Sequence, residues 1–380
     1  MSVPNVQNHP LPASAVFQPI VDLDTGTVIA VEAHPTPSPA GAAQPRLDPV
    51  DEDVRRAVLA ARLTSESGTR LPLQIIVRAE TVARGMDALV PLHQGLLESG
   101  RRPNEILMCV SGGFAPAERA TVSQALRDLR KAGYLLGFAG IGSAHAPLDL
   151  LVDDTPYLVR LDPELARRAS SEHRRSALVS ALVGLSRRLG THVLAPGLAT
   201  EEQLVHLREL GVRLVQGPLL APWDWHPGMG VTVPVLPRGP APEPERASGV
   251  GARVSEFTLP AVTMPETTTA DEILTILNAE RGTTSVVLVD ANQRPRYTVD
   301  RTRFLLSISG PYGHALHAHK LAARLADPPR LVPRTVAAIA ALRAAGKDEE
   351  RVYDDLVVTD EVGRCLGIVR VGDLIRSLSS

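Results

Sequence analysis

The side chains best suited to chemistry in this 380-residue sequence do not assemble into an ordinary catalytic set. Three histidines crowd the segment Gly313-His314-Ala315-Leu316-His317-Ala318-His319. Such a cluster could ligate zinc, with His314 and His317 on one helix face, but no Cys or carboxylate adjoins it to complete a tetrahedral set. A surface connector is the plainer account, and no metal is expected there. No Gly-x-Ser-x-Gly elbow is present, so serine- or cysteine-hydrolase chemistry has no support. Cys109 and Cys365 each sit in an apolar, strand-like run of a different expected domain. They read as small reduced core residues rather than as a disulfide.

The elements that must position any site follow from periodicity. Short apolar runs alternate with amphipathic stretches, the pattern of repeated βα units. Strands are expected at Leu73–Val77, Ile106–Val110, Tyr134–Phe138, Tyr157–Leu161, His192–Leu194 and Leu214–Val215, after a strand–turn–strand unit from Phe17 to His34. Helices are expected at Asp51–Glu66, Thr81–Glu98, Pro116–Lys131, Pro163–Leu189 and Thr200–Leu210. Thr200, followed by Glu201 and Glu202, suits a helix start. From Pro222 to Gly251 the chain is dense in Pro and Gly, which cannot continue a helix. Trp223 and Trp225, at its start, are expected to plug the barrel rim.

Composition agrees with more than one domain: 380 residues at 44% hydrophobic exceed the usual single core. The formal net charge of −2, with both signs interspersed, points away from nucleic acid and from an anionic membrane. Residues 1–14 are polar and expected to be disordered, and no apolar run approaches a membrane span, so a cytoplasmic protein is expected.

Three groups of residues carry a resemblance. They are Phe17-Gln18-Pro19-Ile20-Val21-Asp22-Leu23 with Glu32-Ala33-His34, then His192 through Thr200, then Leu214-Val215-Gln216-Gly217-Pro218-Leu219. In order and spacing they resemble the EAL-type cyclic-di-GMP phosphodiesterases, over roughly the first 225 residues. The resemblance implies a TIM barrel with one antiparallel strand, carrying acidic and amide side chains around two divalent cations that activate water and clamp a phosphodiester. It also implies which positions matter. The name-giving Glu is Glu32, while the other ligand positions fall on Ile76, Cys109, Gly112, Ala139, Gly140, Pro196 and Ala199. A metal-neighbouring Lys falls on Arg160, the phosphate-gripping Arg falls on Thr36, and Gln18, Asp162 and Gln216 remain. Gln18, Glu32, Arg160, Asp162 and Gln216 are thus vestigial ligand-site positions in a degenerate barrel over residues 15–225, expected to be no enzyme and to need no cofactor. Binding of cyclic di-GMP is expected to be absent or weaker than about 10 µM.

Beyond a linker at 226–251, residues 252–380 contain an internal repeat. Val286-Val287-Leu288-Val289-Asp290 and Leu356-Val357-Val358-Thr359-Asp360 are each followed by a turn, a strand and a short helix, with further helices at Thr269–Asn278 and Thr335–Ala345. This resembles a tandem of CBS modules, which implies a smaller α/β domain with a nucleotide cleft. Gly367, Arg370 and Asp373 fall on the cleft positions of the second module. The expected whole is a catalytically inactive regulator that binds a protein partner or senses a ligand and forms a homodimer. A phosphodiesterase with residual or altered activity, using Glu32, Asp162 and Gln216, is the alternative.

Overall fold

The computed structural model describes residues 15–35, 48–143, 148–154, 156–234, 252–310 and 313–378. Thr36, the N-terminal segment 1–14 and most of the Pro-rich linker lie outside them.

The first half of the chain alternates strand and helix: β1 (Ala15–Asp22), β2 (Thr27–Pro35), α1 (Pro49–Glu66), β3 (Leu73–Arg78), α2 (Ala79–Ala83), α3 (Met86–Glu98), β4 (Ile106–Ser111) and α4 (Arg119–Ala132). It continues through β5 (Leu135–Ile141), α5 (Asp149–Asp153), β6 (Leu158–Leu161), α6 (Pro163–Arg168), α7 (His173–Leu189), β7 (His192–Ala195), α8 (Glu201–Glu209) and β8 (Leu214–Val215). The eight strands close into a barrel in chain order. β1 runs antiparallel to both β2 and β8, and all the other pairs are parallel. Side chains alternate along each strand, so one set (Val77, Met108, Val110, Leu136, Phe138) packs under the helices. The other set (Leu107, Cys109, Leu135, Ala139, Leu158, Leu194) fills the lumen. Gly137 is required there, because a Cβ would lie 2.8 Å from Cys109 Sγ and 3.0 Å from the Leu158 carbonyl oxygen.

Several expected helices are divided, each for a local reason. Gly85 takes φ +82° and starts α3, so the segment expected as Thr81–Glu98 breaks between α2 and α3. The Pro163–Leu189 segment breaks after α6, where the Ser171 hydroxyl donates to the Arg168 carbonyl and competes with the helix ladder. A 3₁₀ turn at Pro116–Glu118 precedes α4. The two tryptophans also part company. Trp225 is buried in the core beneath the helices, but Trp223 is 73% exposed and plugs nothing. Val231 and Val233, placed in the linker by composition, still pack against that core.

The C-terminal part holds β9 (Val262–Pro265), α9 (Ala270–Ala279), β10 (Ser285–Val289), β11 (Pro295–Asp300), α10 (Arg301–Ser309) and α11 (Gly313–His317). It then repeats as β12 (Leu331–Pro333), α12 (Ala338–Ala345), β13 (Leu356–Thr359), β14 (Cys365–Val369) and α13 (Val371–Leu378). The two three-stranded sheets are built alike: the first strand is parallel to the second, and the second is antiparallel to the third. Even the turns match, with Asp290 accepting from the amides of Asn292 and Arg294, and Asp360 from those of Val362 and Arg364. The halves are interlocked. Leu259, before the first half, bridges to Ile368 in β14, and Asp327, before the second, bridges to Thr298 in β11. Helix α12 begins later than the expected Thr335, because Val336 and Ala337 are taken up by backbone contacts to Val254 and Arg253.

This repeat closes the floor of the barrel, the end opposite the C-terminal ends of its parallel strands. Ile20, Leu107, Leu135, Leu158 and Leu214 share one apolar core with Leu259, Val287, Val357, Cys365 and Ile368. The two cysteines, Cys109 and Cys365, are both buried in that same core as free thiols.

Candidate functional site

The C-terminal ends of parallel barrel strands are where such folds assemble chemistry. Strand pairing brings Glu32 of β2 opposite Gln18 of β1 and beside Gln74 of β3. Glu32 is 4% exposed, and its carboxylate is the hub of the mouth. Its Oε2 accepts from Arg160 Nη1 at 2.5 Å, Gln216 Nε2 at 3.1 Å and Gln74 Nε2 at 3.4 Å. Its Oε1 lies 3.4 Å from His34 Nε2. Burial alone would raise the Glu32 pKa. Arg160, His34 and Gln216 outweigh it and hold the carboxyl below its ordinary value. Both glutamines turn amide nitrogens to the carboxylate, leaving Oε1 of Gln74 and of Gln216 buried without a partner.

Of the residues expected from the sequence, Glu32, Arg160 and Gln216 are thus brought together. Gln18 adds its backbone carbonyl, 3.4 Å from Gln216 Nε2. Asp162 does other work, capping α6 by accepting from the amides of Glu164 and Leu165 at 2.9 and 3.1 Å. Gln74 was missed, although it stands two residues before Ile76 and so on the same strand face. His34 was read as part of the triplet but not as a neighbour of Glu32.

The fold implies a pair of divalent cations at this mouth, and the residues present do not fit them. Cys109 and Ala139 are apolar-packed in the lumen, with Ile76 against them. Burial pushes the Cys109 thiol up to about 12, so it offers no thiolate at neutral pH. One carboxylate, already engaged by three hydrogen-bond donors, cannot supply the oxygens that two hard cations require.

The second cleft set faces the barrel. Asp373 is buried and pairs with Arg213 Nη2 at 2.7 Å and with Arg376. Arg370 Nη2 lies 3.2 Å from the Gly282 carbonyl and 3.5 Å from Thr27 Oγ1. Gly367 abuts the backbone of Leu259, where a Cβ would meet the carbonyl oxygen. Arg213 also grips Asp22, at 2.7 and 2.8 Å, and lies 3.2 Å from Asp24. His192 Nε2 and Tyr157 Oη both reach the Thr258 carbonyl, at 2.5 and 2.9 Å. Among the histidines of α11 and the turn after it, His314 Nε2 lies 3.2 Å from Asp271 Oδ1. No group of three metal-binding side chains occurs among the described residues, and no described helix is long and apolar enough to cross a membrane.

Comparison with known proteins matches residues 13–222 to the EAL domain. The cyclic di-GMP phosphodiesterase RocR of Pseudomonas aeruginosa is 26% identical over 40% of this chain and 38% of its own. The blue light- and temperature-regulated antirepressor BluF of Escherichia coli is 24% identical over 57% of this chain and 55% of its own. The chain therefore spans about half, or less, of the curated relatives it matches. A standalone EAL protein from Vibrio cholerae, solved with cyclic di-GMP bound, shares the fold at 19% identity and a TM-score of 0.50, covering 56% of this chain and 93% of that one. These findings correct the expectation that the chain is no enzyme: its relatives include phosphodiesterases, and nothing observed positively shows inactivity. With more than half of its length matched and its barrel opened by the antiparallel strand, the chain belongs to the EAL-domain family of cyclic di-GMP signalling.

Proposed function

We propose that this protein is a regulator in cyclic di-GMP signalling that works by binding a protein partner or sensing a ligand at its barrel. The observation that carries this reading is the internal engagement of Glu32: the acid that names the family is tied to Arg160, Gln74 and Gln216. The antirepressor among its relatives is a regulator by its name and lends support. A second reading, a phosphodiesterase with altered activity, draws on the retained Glu32 and Gln216 and on RocR. The C-terminal repeat is proposed as a CBS-like pair, supported by its matched sheets, turns and reciprocal bridges. A homodimer is proposed as well, since a closed two-fold contact uses one patch twice. A monomeric mass by light scattering at micromolar concentration ends that part.

Purified full-length protein, incubated with cyclic di-GMP and magnesium or manganese, decides between the first two readings. Within the regulator reading, calorimetry with cyclic di-GMP separates ligand sensing from partner binding. Turnover that disappears in Glu32→Ala overturns it in favour of the phosphodiesterase.

A further inference from the structure

The mouth poses a question of charge. Strands β2 and β6 stand opposite each other in the ring of eight, so the pair of Glu32 and Arg160 spans the lumen. Both side chains are largely withdrawn from water, at 6% and 12% exposure. A buried carboxylate is expensive unless a cation and hydrogen-bond donors meet it. In this chain every such donor is supplied by the protein: a guanidinium from β6, an amide from β3 and the amide of Gln216 just after β8.

We infer that Arg160 is the resident cation of this barrel mouth, taking the charge-neutralising place that the fold reserves for divalent metal. The inference stands on the geometry of the mouth, not on the regulator reading, and it runs against metal-dependent turnover at this mouth. Three features support it. The charges of Glu32 and Arg160 cancel, so no net negative charge remains to draw in a dication. Positions around them carry Ile76, Cys109 and Ala139, which place carbon and a thiol where oxygen ligands are needed. The amide nitrogens of Gln74 and Gln216 point to the carboxylate, an orientation that favours a filled acceptor and turns the ligating oxygens away. The positive charge is thus covalently tethered and delivered by folding itself, independent of the metal content of the solution.

Thermal unfolding of the full chain, with manganese or with EDTA, tests this without reference to activity. The wild type is expected to unfold at the same temperature in millimolar manganese and in EDTA. Arg160→Met leaves Glu32 buried and unpaired, and its folded-to-unfolded ratio should fall by about 100-fold or more. Adding Glu32→Gln to that variant should recover most of the loss, because the orphan charge is gone. Should Arg160→Met fail to fold, Arg160→Lys keeps a tethered charge and is expected to remain indifferent to manganese. Two results overturn the inference. One is a manganese-dependent rise in the wild-type unfolding temperature that Glu32→Gln abolishes. The other is an Arg160→Met protein as stable as wild type.

Discussion

The mouth and the floor of the barrel each bury an arginine among carboxylates, but they settle its charge differently. At the mouth, Arg160 meets one carboxylate, and all the partners belong to the barrel. At the floor, Arg213 meets Asp22 and Asp24 of the barrel and Asp373 of the repeat. Around the first lie lumen side chains; around the second, the apolar core runs on into the C-terminal sheets. The mouth is therefore complete without the repeat, whereas the floor is complete only when the repeat is docked. The same residue type serves as an internal counter-ion in one place and as a tie between two units in the other.

Removing the tie tests this contrast most severely. Arg213→Met leaves Asp22, fully buried, without its arginine and Asp373 with Arg376 alone, and should cost about 3–5 kcal/mol in urea denaturation. The loss should be felt by both units, read by Trp225 fluorescence for the barrel and by proteolysis of the repeat. A repeat that stays as protected as before would break the comparison.

Acid offers a second, somewhat smaller lever on the floor. Burial, with nearby Arg213, lowers the His192 pKa from 6.5 to about 4, and its neutral ring donates to the Thr258 carbonyl. The unfolded chain takes up this proton first, so the contribution is whole above pH 6.5 and is lost as pH falls towards 4. The loss is on the order of 3 kcal/mol. His192→Gln keeps a donor without the titration, so its stability curve should lie flatter over that window. Parallel curves for variant and wild type would remove His192 from the account.

The smallest effect sets the baseline. Trp223→Ala should change stability by no more than about 0.5 kcal/mol, since that ring is exposed. A larger loss in calorimetry would reveal a contact surface next to the barrel.

Local signals in the sequence went far. Leu73–Val77 and Ile106–Val110 declare themselves as buried strands, and Thr200 accepts from the amide of Gln203 as a cap should. Breaks at Gly85 and Ser171 were harder, because helical periodicity on either side hides a turn of few residues. Gln74 lay inside an apolar run and was legible only by carrying strand parity back from Ile76. The contacts of Arg213 with Asp373 and of His192 with Thr258 join distant parts of the chain, and no spacing rule encodes them. For the same reason Gly367, Arg370 and Asp373 could be found as a set but not seen to face the barrel.

The reciprocal bridges of the repeat also bear on the order in which the protein is made. Leu259 leaves the ribosome before either sheet exists, yet its partner Ile368 lies in the last strand, and Val254 belongs to the core of the second half. The first half therefore lacks one of its bridges, and the floor of the barrel is only partly covered, until β14 has emerged. A chain that stops short of β14 would lose the Leu259–Ile368 bridge and remove Cys365 and Ile368 from the apolar core shared with Leu107, Leu135 and Leu158, so the floor is complete only once β14 has been made.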